Sequence, residues 1–348
     1  LEFHDTYTTK YQKSVVLMHM GTFYEIYGIP TLHVGPDVYH FGELLNVQVA
    51  RKNKSIEEIS YKNPLFTGFP VCAYEEYRNI LLNAGYTLIK VDQMTSPPHI
   101  EREVTEIISP GTIVDKYNSS DSNYLMSLYI RSYKTQGTPV YTVGISAIDM
   151  GTGVNYVYAI HSTLQDPTLW SDEEYRLIHN HHPRELLLHY DIQRETLNIP
   201  ELCRIWNISE SMIHTNVIEN SQIHSISYQN EYYRKIYKHT GFLDPLEYVG
   251  FERSKEMTLS HMYMMEFIYL HKAENISGIQ KPVHMEPDVH LSLSYNSMYQ
   301  LYLIDSQEHK SETYSSLLSF INKCQTAIGR RLCKSRLLNP ILCPDTLT

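Results

Sequence analysis

The sequence predicts a multidomain fold, α/β in its first two parts and all-α in the last, and three observations carry that reading. Up to about Pro110 the chain alternates strand-like and helix-like stretches. A polar segment, Asp115 to Asn123, then precedes two apolar runs joined by the Gly-rich turn Asp149-Met150-Gly151-Thr152-Gly153. From about Gly241 the apolar spacing turns helical. The length of 348 residues accommodates two or three domains at roughly 100–200 residues each. A content of 42% hydrophobic and 20% charged residues can bury cores, which excludes global disorder.

Taken in order, Leu17 to Tyr27 is a strand-compatible run ending at Gly28, and Pro36 to Leu45 reads as a short helix opened by proline. Val47 to Ala50 is a strand candidate, followed by the polar loop Arg51 to Asn63. Cys72 to Ala84 is helical, with Tyr74, Tyr77 and Leu81 on one face and Gly85 closing it. Tyr86 to Val91 and Arg102 to Ile108 are strands, the second ending at Ser109-Pro110-Gly111. Beyond the linker, Pro139 to Ile148 and Val154 to Ile160 form a hairpin. Leu186 to Tyr190 adds a strand after His182-Pro183-Arg184-Glu185. Lys255 to Ala273 is apolar nearly all round, as a helix packed among other elements would be. Leu291 to Asp305, Thr313 to Ile321 and Thr326 to Leu338 follow as helices, the last stopping before Pro340.

Several functions are excluded or weakened. The longest apolar stretch, Met262 to Leu270, contains Glu266 and is too short for a bilayer. No signal peptide is expected, and a start at Leu1 inside a polar, helix-like run is expected of a trimmed chain. The five cysteines (Cys72, Cys203, Cys324, Cys333, Cys343) lack CxxC spacing, so reduced thiols and an intracellular location are expected, with cytoplasm, nucleus, virus factory and organelle all open. There are 29 basic against 39 acidic side chains, a net of -10. Dedicated nucleic-acid binders are usually basic, so any DNA contact must rest on a local feature. The chain has no GxxxxGK[ST], HExxH or GxSxG, so no catalytic residue is nominated. His179, His181 and His182 lack a Cys or carboxylate at ligand spacing and read as a solvated turn before a strand, so no metal is expected. Asp149 reads as a hairpin-turn residue in preference to one carboxylate of a ribonuclease-H-type nuclease, which needs several. The acid-free stretch holding Lys323, Arg330, Arg331, Lys334 and Arg336 reads as surface or interdomain.

One segment stands apart, Gly21-Thr22-Phe23-Tyr24-Glu25-Ile26-Tyr27-Gly28. In a strand Phe23 and Glu25 point to the same face, and a carboxylate beside an aromatic is unusual in a core because an unpaired buried charge is costly. Phe23 in the core with Glu25 capping a neighbour at the sheet edge satisfies the periodicity equally, and both readings stay open. Arg51, Lys52 and Lys54 cluster on the loop after a strand, either as phosphate contacts or as a solvated loop.

With four further stretches in the same order, this segment resembles the amino-terminal part of the MutS family of DNA mismatch-repair proteins. "GTFYEIYG" is similar to that family's GDFYE signature, and Thr67 to Met94 to its AGVPYH…Y…L…GY…EQ stretch. Arg102 to Asp115 is similar to its RxVxxxxTPGT segment, Gly144 to Gly153 to the connector's hairpin, and Ser315 to Leu342 to part of its lever helices. The departures are Thr22 for Asp, Phe69 for Val, Cys72-Ala73 for His-Ala, and Asp92-Gln93 for Glu-Gln. The resemblance implies a mixed-sheet mismatch-recognition domain at 1–115, a ribonuclease-H-like connector at 116–240 and the start of a helical lever/core domain at 241–348. A viral or organellar branch would suit the Tyr- and His-rich composition.

It also implies that Phe23 wedges at a mispaired base and that Glu25 hydrogen-bonds the wedged base. Arg51, Lys52 and Lys54 are then candidate backbone contacts. The implied partners are double-stranded DNA with mismatches or small loops, a second MutS-type subunit, and a MutL-type protein at the connector. The family's ATP and Mg belong to a P-loop domain beyond these residues, so no cofactor and no enzyme activity is expected of this stretch. The competing expectation is a protein-interaction module whose DNA reading is vestigial.

Overall fold

The computed structural model describes residues 2–8, 11, 13–95, 99–113, 123–135, 138–191, 197–285, 291, 293–304 and 315–342. Its contacts divide the chain into two compact units, 1–113 with 268–274, and 114–267 with 275–348.

In the first unit α1 (Glu2–Thr8) precedes β1 (Ser14–Met20) and β2 (Phe23–Gly28). The single strand expected over Leu17 to Tyr27 is therefore a hairpin. Gly21 begins its two-residue turn at φ +63°, a left-handed conformation that a side chain disfavours. Then come α2 (Val38–Leu45), β3 (Ala50–Arg51), β4 (Leu65–Pro70), α3 (Tyr74–Asn83), β5 (Thr87–Gln93) and β6 (Arg102–Ile108). The sheet runs β3-β4-β2-β1-β5-β6, with β1 and β5 parallel and the other pairs antiparallel. Helix α2 starts two residues later than its proline signals, because the Asp37 carboxylate caps it by accepting from the Tyr39 and His40 amides at 3.0 and 3.4 Å. One sheet face supplies Val15, Leu17, Tyr24 and Ile26, which pack with Phe41 and Leu45 of α2 and Leu81 and Leu82 of α3. The opposite parity of β2, comprising Phe23, Glu25 and Tyr27, therefore faces away from this core.

In the second unit β7 (Tyr124–Thr135), β8 (Thr138–Asp149) and β9 (Asn155–His161) form an antiparallel meander. After α4 (Leu169–His181), β10 (Pro183–Asp191) pairs parallel with β7. After α5 (Ile199–Trp206), β11 (Ile213–Thr215) pairs parallel with β10. Helices α6 (Ile226–Ile236), α7 (Pro245–Val249) and α8 (Lys255–His271) follow. Then come the short edge strand β12 (Val283–His284), α9 (Tyr295–Gln300), α10 (Leu317–Ile321) and α11 (Ala327–Leu338). The sheet order is β11-β10-β7-β8-β9-β12.

Leu128, Ile145 and Leu186 from this sheet share one core with Trp170 and Leu177 of α4 and Trp206 of α5. Along α8 a small-residue track explains a close approach. The Ser260 hydroxyl donates to the Ser127 carbonyl at 2.7 Å, and a Cβ at Gly144 would lie 2.0 Å from the Glu256 carbonyl oxygen. Asp149 sits at the β8–β9 turn, accepting from the Gly151 amide at 3.0 Å and the Thr152 hydroxyl at 3.2 Å. The HNHHP segment differs from the solvated turn expected of it, since His179 and His181 are buried on the last turn of α4 and His182 caps that helix at φ +51°. The two rings diverge, His179 meeting the Trp206 carbonyl at 3.0 Å while His181 packs beside Tyr124 and Tyr156. The linker Asp115 to Asn123 lies, up to residue 122, outside the described residues, as do 305–314 and Cys343.

Candidate nucleic-acid interface

The face of β2 that points away from the helices carries the site. Phe23 is 43% exposed although the rest of its strand is at least partly buried. The exposure settles one of the two readings left open by periodicity: this ring is not core. Its surroundings are set by register, with Met20 opposite on β1 and Pro70 opposite on β4. The Val71 amide donates to the Thr22 carbonyl at 2.9 Å, tying the turn before Phe23 to the end of β4. Tyr24, the inward neighbour, is 3% exposed and packs on Phe69 and Tyr74 with centroid distances of 6.2 and 5.2 Å. The ring at 23 thus projects from a strand fixed on its other side.

Glu25 pairs with Met18 on β1 and Gly68 on β4. A Cβ at Gly68 would come within 3.2 Å of the Glu25 Cγ and 2.5 Å of the Tyr24 carbonyl oxygen, so glycine here leaves room for the Glu25 side chain to lie across β4. Tyr27 donates its phenol proton to Glu25 Oε2. Burial, and after it this bond to Glu25, pushes the Tyr27 phenol well above its ordinary range. Three strands away from β2, on β6, the Arg102 guanidinium donates to the His19 carbonyl at 3.4 Å and approaches the Met20 sulfur at 3.0 Å, which brings a positive charge towards the Phe23 end of the hairpin. Tyr27, Gly68 and Arg102 escaped the sequence reading. The signal was present in the same-face spacing 23, 25, 27, but Gly68 and Arg102 become neighbours only through strand pairing.

Behind the site, Asp92 organises polar side chains on the helix side of the sheet. It accepts from the Tyr24 phenol and the Thr105 hydroxyl, each at 2.6 Å, and pairs with Lys90 at 3.1 Å. Burial works to raise its pKa, but these donors outweigh burial and hold the carboxyl below its usual value. Phe69, where the resemblance implies a smaller residue, is fully buried and stacks on Tyr77 at 4.4 Å.

Arg51, Lys52 and Lys54 are not brought together with Phe23 and Glu25. Arg51 pairs across Leu65, which pairs with Gly28. That places it at the far end of β2, about 17 Å along the strand and about 10 Å across two strands from Phe23. The loop is ordered by the buried Asn63, which accepts from the Asn53 amide at 2.7 Å and donates to the Ile56 and Glu58 carbonyls at 3.0 Å. Arg51 itself donates to the Glu57 carbonyl at 3.2 Å, while Lys52 and Lys54 are exposed. A cavity of about 930 Å³ lies elsewhere, in the second unit, between Tyr124, Tyr156 and His181 on one side and Arg331 and Arg336 on the other. The candidate site remains the face of β2 on which Phe23 is exposed.

Fold and site together describe a multidomain α/β protein that displays an aromatic–carboxylate pair on an exposed sheet face of its first unit. Residues 1–117 match the family model of MutS domain I, and over most of its length the chain is similar to MutS homologues. It is 30% identical over 356 residues to a DNA mismatch repair protein mutS homolog of Acanthamoeba polyphaga mimivirus, covering 94% of this chain and 31% of that protein. It is 24% identical over 343 residues to the DNA mismatch repair protein MutS of Streptococcus pyogenes serotypes M4 and M5, covering 97% of this chain and 34% of theirs. The chain thus spans about a third of the length of the curated relatives it matches. Among the described residues no helix is long and apolar enough to cross a membrane, and no group of three or more His, Cys, Asp or Glu is placed to hold a metal ion.

Proposed function

We propose that this chain supplies the mismatch-reading part of a DNA mismatch-repair protein, with Phe23 as the wedge and Glu25 as the group that checks the wedged base. The observation that carries the reading is the 43% exposed ring of Phe23 on a strand whose alternate residues are buried, with a carboxylate two positions on along the same face. A ring inserted at a base step must unstack it, at a cost of a few kcal/mol that falls when the pair is already mismatched. What is read is therefore the ease with which the duplex yields. The carboxylate adds a penalty: near phosphates it is unfavourable unless it gains its hydrogen bond to the base.

The second unit supports a connector reading. Its meander β7-β8-β9, followed by two parallel strands added beside β7, has the strand order 3-2-1-4-5 of ribonuclease-H-like sheets, and α9 to α11 would then begin a helical lever. ATP hydrolysis with Mg, pairing with a second MutS-type subunit and docking of a MutL-type protein are proposed for the full-length protein. Non-specific grip on phosphates would come from elements other than β2, among which Arg51, Lys52 and Lys54 remain candidates.

The test is the ratio of affinities for mismatched over matched duplex, measured for the full-length protein and for Phe23→Ala. Loss of one stacked aromatic is worth about 1–3 kcal/mol, so the ratio is expected to fall by roughly ten- to a hundredfold. Equal ratios in the two proteins would remove the wedge role.

A further inference from the structure

We propose that the second unit holds a binding site for a nucleoside phosphate, in the cavity between the end of α4 and α11, with Arg331 and Arg336 taking the phosphates and a Tyr124–His181–Tyr156 wall taking the base. Every described residue lining this cavity belongs to the second unit, and the site uses the acid-free basic stretch that mismatch reading leaves without a role. Its volume of about 930 Å³ falls within the roughly 300–1,000 Å³ usual for small-molecule and cofactor sites. Helix α11 supplies the cations. Residues 331, 332, 335 and 336 line the cavity, a spacing that puts them on one side of the helix. The two arginines are exposed and start about 7.5 Å apart along the helix axis. None of the described lining residues is acidic, and a guanidinium is a fixed charge whose fork matches phosphate oxygens.

The opposite wall asks for a planar polar group. His181 is 8% exposed, lines the cavity, and its Nε2 has no hydrogen-bond partner among the described residues. A buried polar atom left unpaired is costly, and a ligand that pairs it removes the cost. Burial, and after it Arg176 and His182, depress this ring to about 4, so it is neutral and Nε2 donates or accepts according to tautomer. Tyr124 and Tyr156 flank the ring with centroids 4.8 and 5.5 Å away, an aromatic surface against which a base can pack. Burial, then Tyr156 and Asp149, push the Tyr124 phenol up to about 12 while Arg331 acts in the other direction, so the phenol keeps its proton as a donor. The Asp149 carboxylate beside it is engaged within its own turn. A bare phosphate would use only the arginines, and an apolar ring would leave Nε2 unpaired; a nucleoside phosphate answers to both walls.

The experiment photolabels the full-length protein with 8-azido-ADP and locates the label by mass spectrometry of its peptides, so that label within 114–342 is read apart from nucleotide bound elsewhere. Label is expected on peptides carrying Tyr124, Tyr156 or His181, competed by ADP at lower concentration than by pyrophosphate. Arg336→Gln is expected to raise the ADP concentration needed for half-competition about tenfold, the worth of one charge-assisted hydrogen bond, and Arg336→Lys, which keeps the charge without the fork, to lie between the two. Arg336 is exposed, so Arg336→Gln should leave the unfolding midpoint of Trp170 and Trp206 fluorescence unmoved, and it decides the matter should His181→Phe fail to fold. His181→Phe keeps a ring between the tyrosines and removes Nε2; it is expected to bring competition by ADP down to that of pyrophosphate. No label within 114–342, label that ADP does not compete, or half-competition unchanged in Arg336→Gln overturns the proposal. Pyrophosphate competing as well as ADP in the unaltered protein would show an anion site without base recognition, and that too overturns it.

Discussion

Acid should unfold the second unit steeply, because four of its histidines are buried in the neutral state. His179, His181, His189 and His261 are at most 8% exposed. Burial depresses all four, to about 3, 4, 3 and 3 respectively. Lys334 adds to the effect at His179, Arg176 at His181 and His284 at His261. Their contacts fit neutral rings: His189 Nε2 accepts from the Ile218 amide at 3.4 Å and its ring stacks on Tyr263 at 3.8 Å, while His261 bridges the Tyr233 hydroxyl and the Asn155 side chain at 2.9 and 3.2 Å. In the unfolded chain each would titrate at 6.5. Below that pH the unfolded state binds protons the folded state refuses, so the stability contributed by the neutral rings is present above about 6.5 and is lost as pH falls towards their folded values.

Each such proton is worth about 1.4 kcal/mol per pH unit. Glu174 works in the opposite sense. It is fully buried, its carboxyl is raised well above 4.5 by burial and then by Glu173, and its contribution to stability declines as pH rises through that range. A net of about three protons leaves a slope of ~4 kcal/mol per pH unit, against a total stability of about 5–15 kcal/mol for a typical domain. Trp170 and Trp206, the two tryptophans of the chain, both lie in the core of this unit, so their fluorescence follows it alone. Denaturant titrations between pH 6 and 5 should show the slope, and His189→Phe should reduce it by about one proton's worth. A slope below ~1.4 kcal/mol per pH unit, or one that His189→Phe leaves unchanged, would refute the reasoning.

Two glycine substitutions, at Gly68 and Gly144, test close approaches, and a third, at Gly21, tests backbone conformation alone. Gly68→Ala drives a Cβ to 2.5 Å from the Tyr24 carbonyl oxygen; overpacking of this kind costs about 1–3 kcal/mol and should accelerate amide exchange in β2 and β4 while lowering mismatch selectivity. Gly21→Ala, which meets no atom within 4 Å but keeps a φ of +63°, should show only a left-handed backbone penalty of about 1–2 kcal/mol. Unchanged exchange in Gly68→Ala would show that Glu25 is not seated as described. Gly144→Ala, with its Cβ 2.0 Å from the Glu256 carbonyl oxygen, should cost about 3 kcal/mol or more, read as a lowered denaturation midpoint of the tryptophan signal. A midpoint equal to that of the unaltered chain would mean that α8 does not pack against β8 there.

Elements with a clear period were legible in the sequence. The β8–β9 hairpin, α3, β6 and the apolar α8 follow from alternation or helical spacing, and the described structure places them within a few residues of expectation. Elements whose stability is tertiary were not. Strand β4 is six residues interrupted by Gly68 and Pro70, and it is strand-like because β2 and β3 flank it. Helix α4 carries Trp170, Glu173, Glu174, His179 and His181 inside the unit, a polar set that reads as surface until its partners are known. The same holds for the site. Phe23 and Glu25 could be singled out from a two-residue period, whereas Gly68 and Arg102 lie 43 and 77 residues further along from Glu25 and join it only through the register of the sheet.

An acidic chain can read DNA if discrimination and grip are separate functions. Grip scales with the number of phosphates neutralised, and a net charge of -10 opposes it. Discrimination depends on the difference between two complexes that share those phosphate contacts, so the shared term cancels and the net charge cancels with it. On the proposed function, what remains is the unstacking cost at one step and the hydrogen bond at one base, both of which would be local to β2. Under that proposal the position of the pair on a sheet and not on a loop has a physical reason. A wedge distinguishes a stiff base step from a soft one only if it is stiffer than the soft step, and Phe23 starts a strand hydrogen-bonded on both sides, with Tyr24 and Ile26 anchored in the core. A flexible loop carrying the same ring would yield before either duplex did, and it would bind both alike.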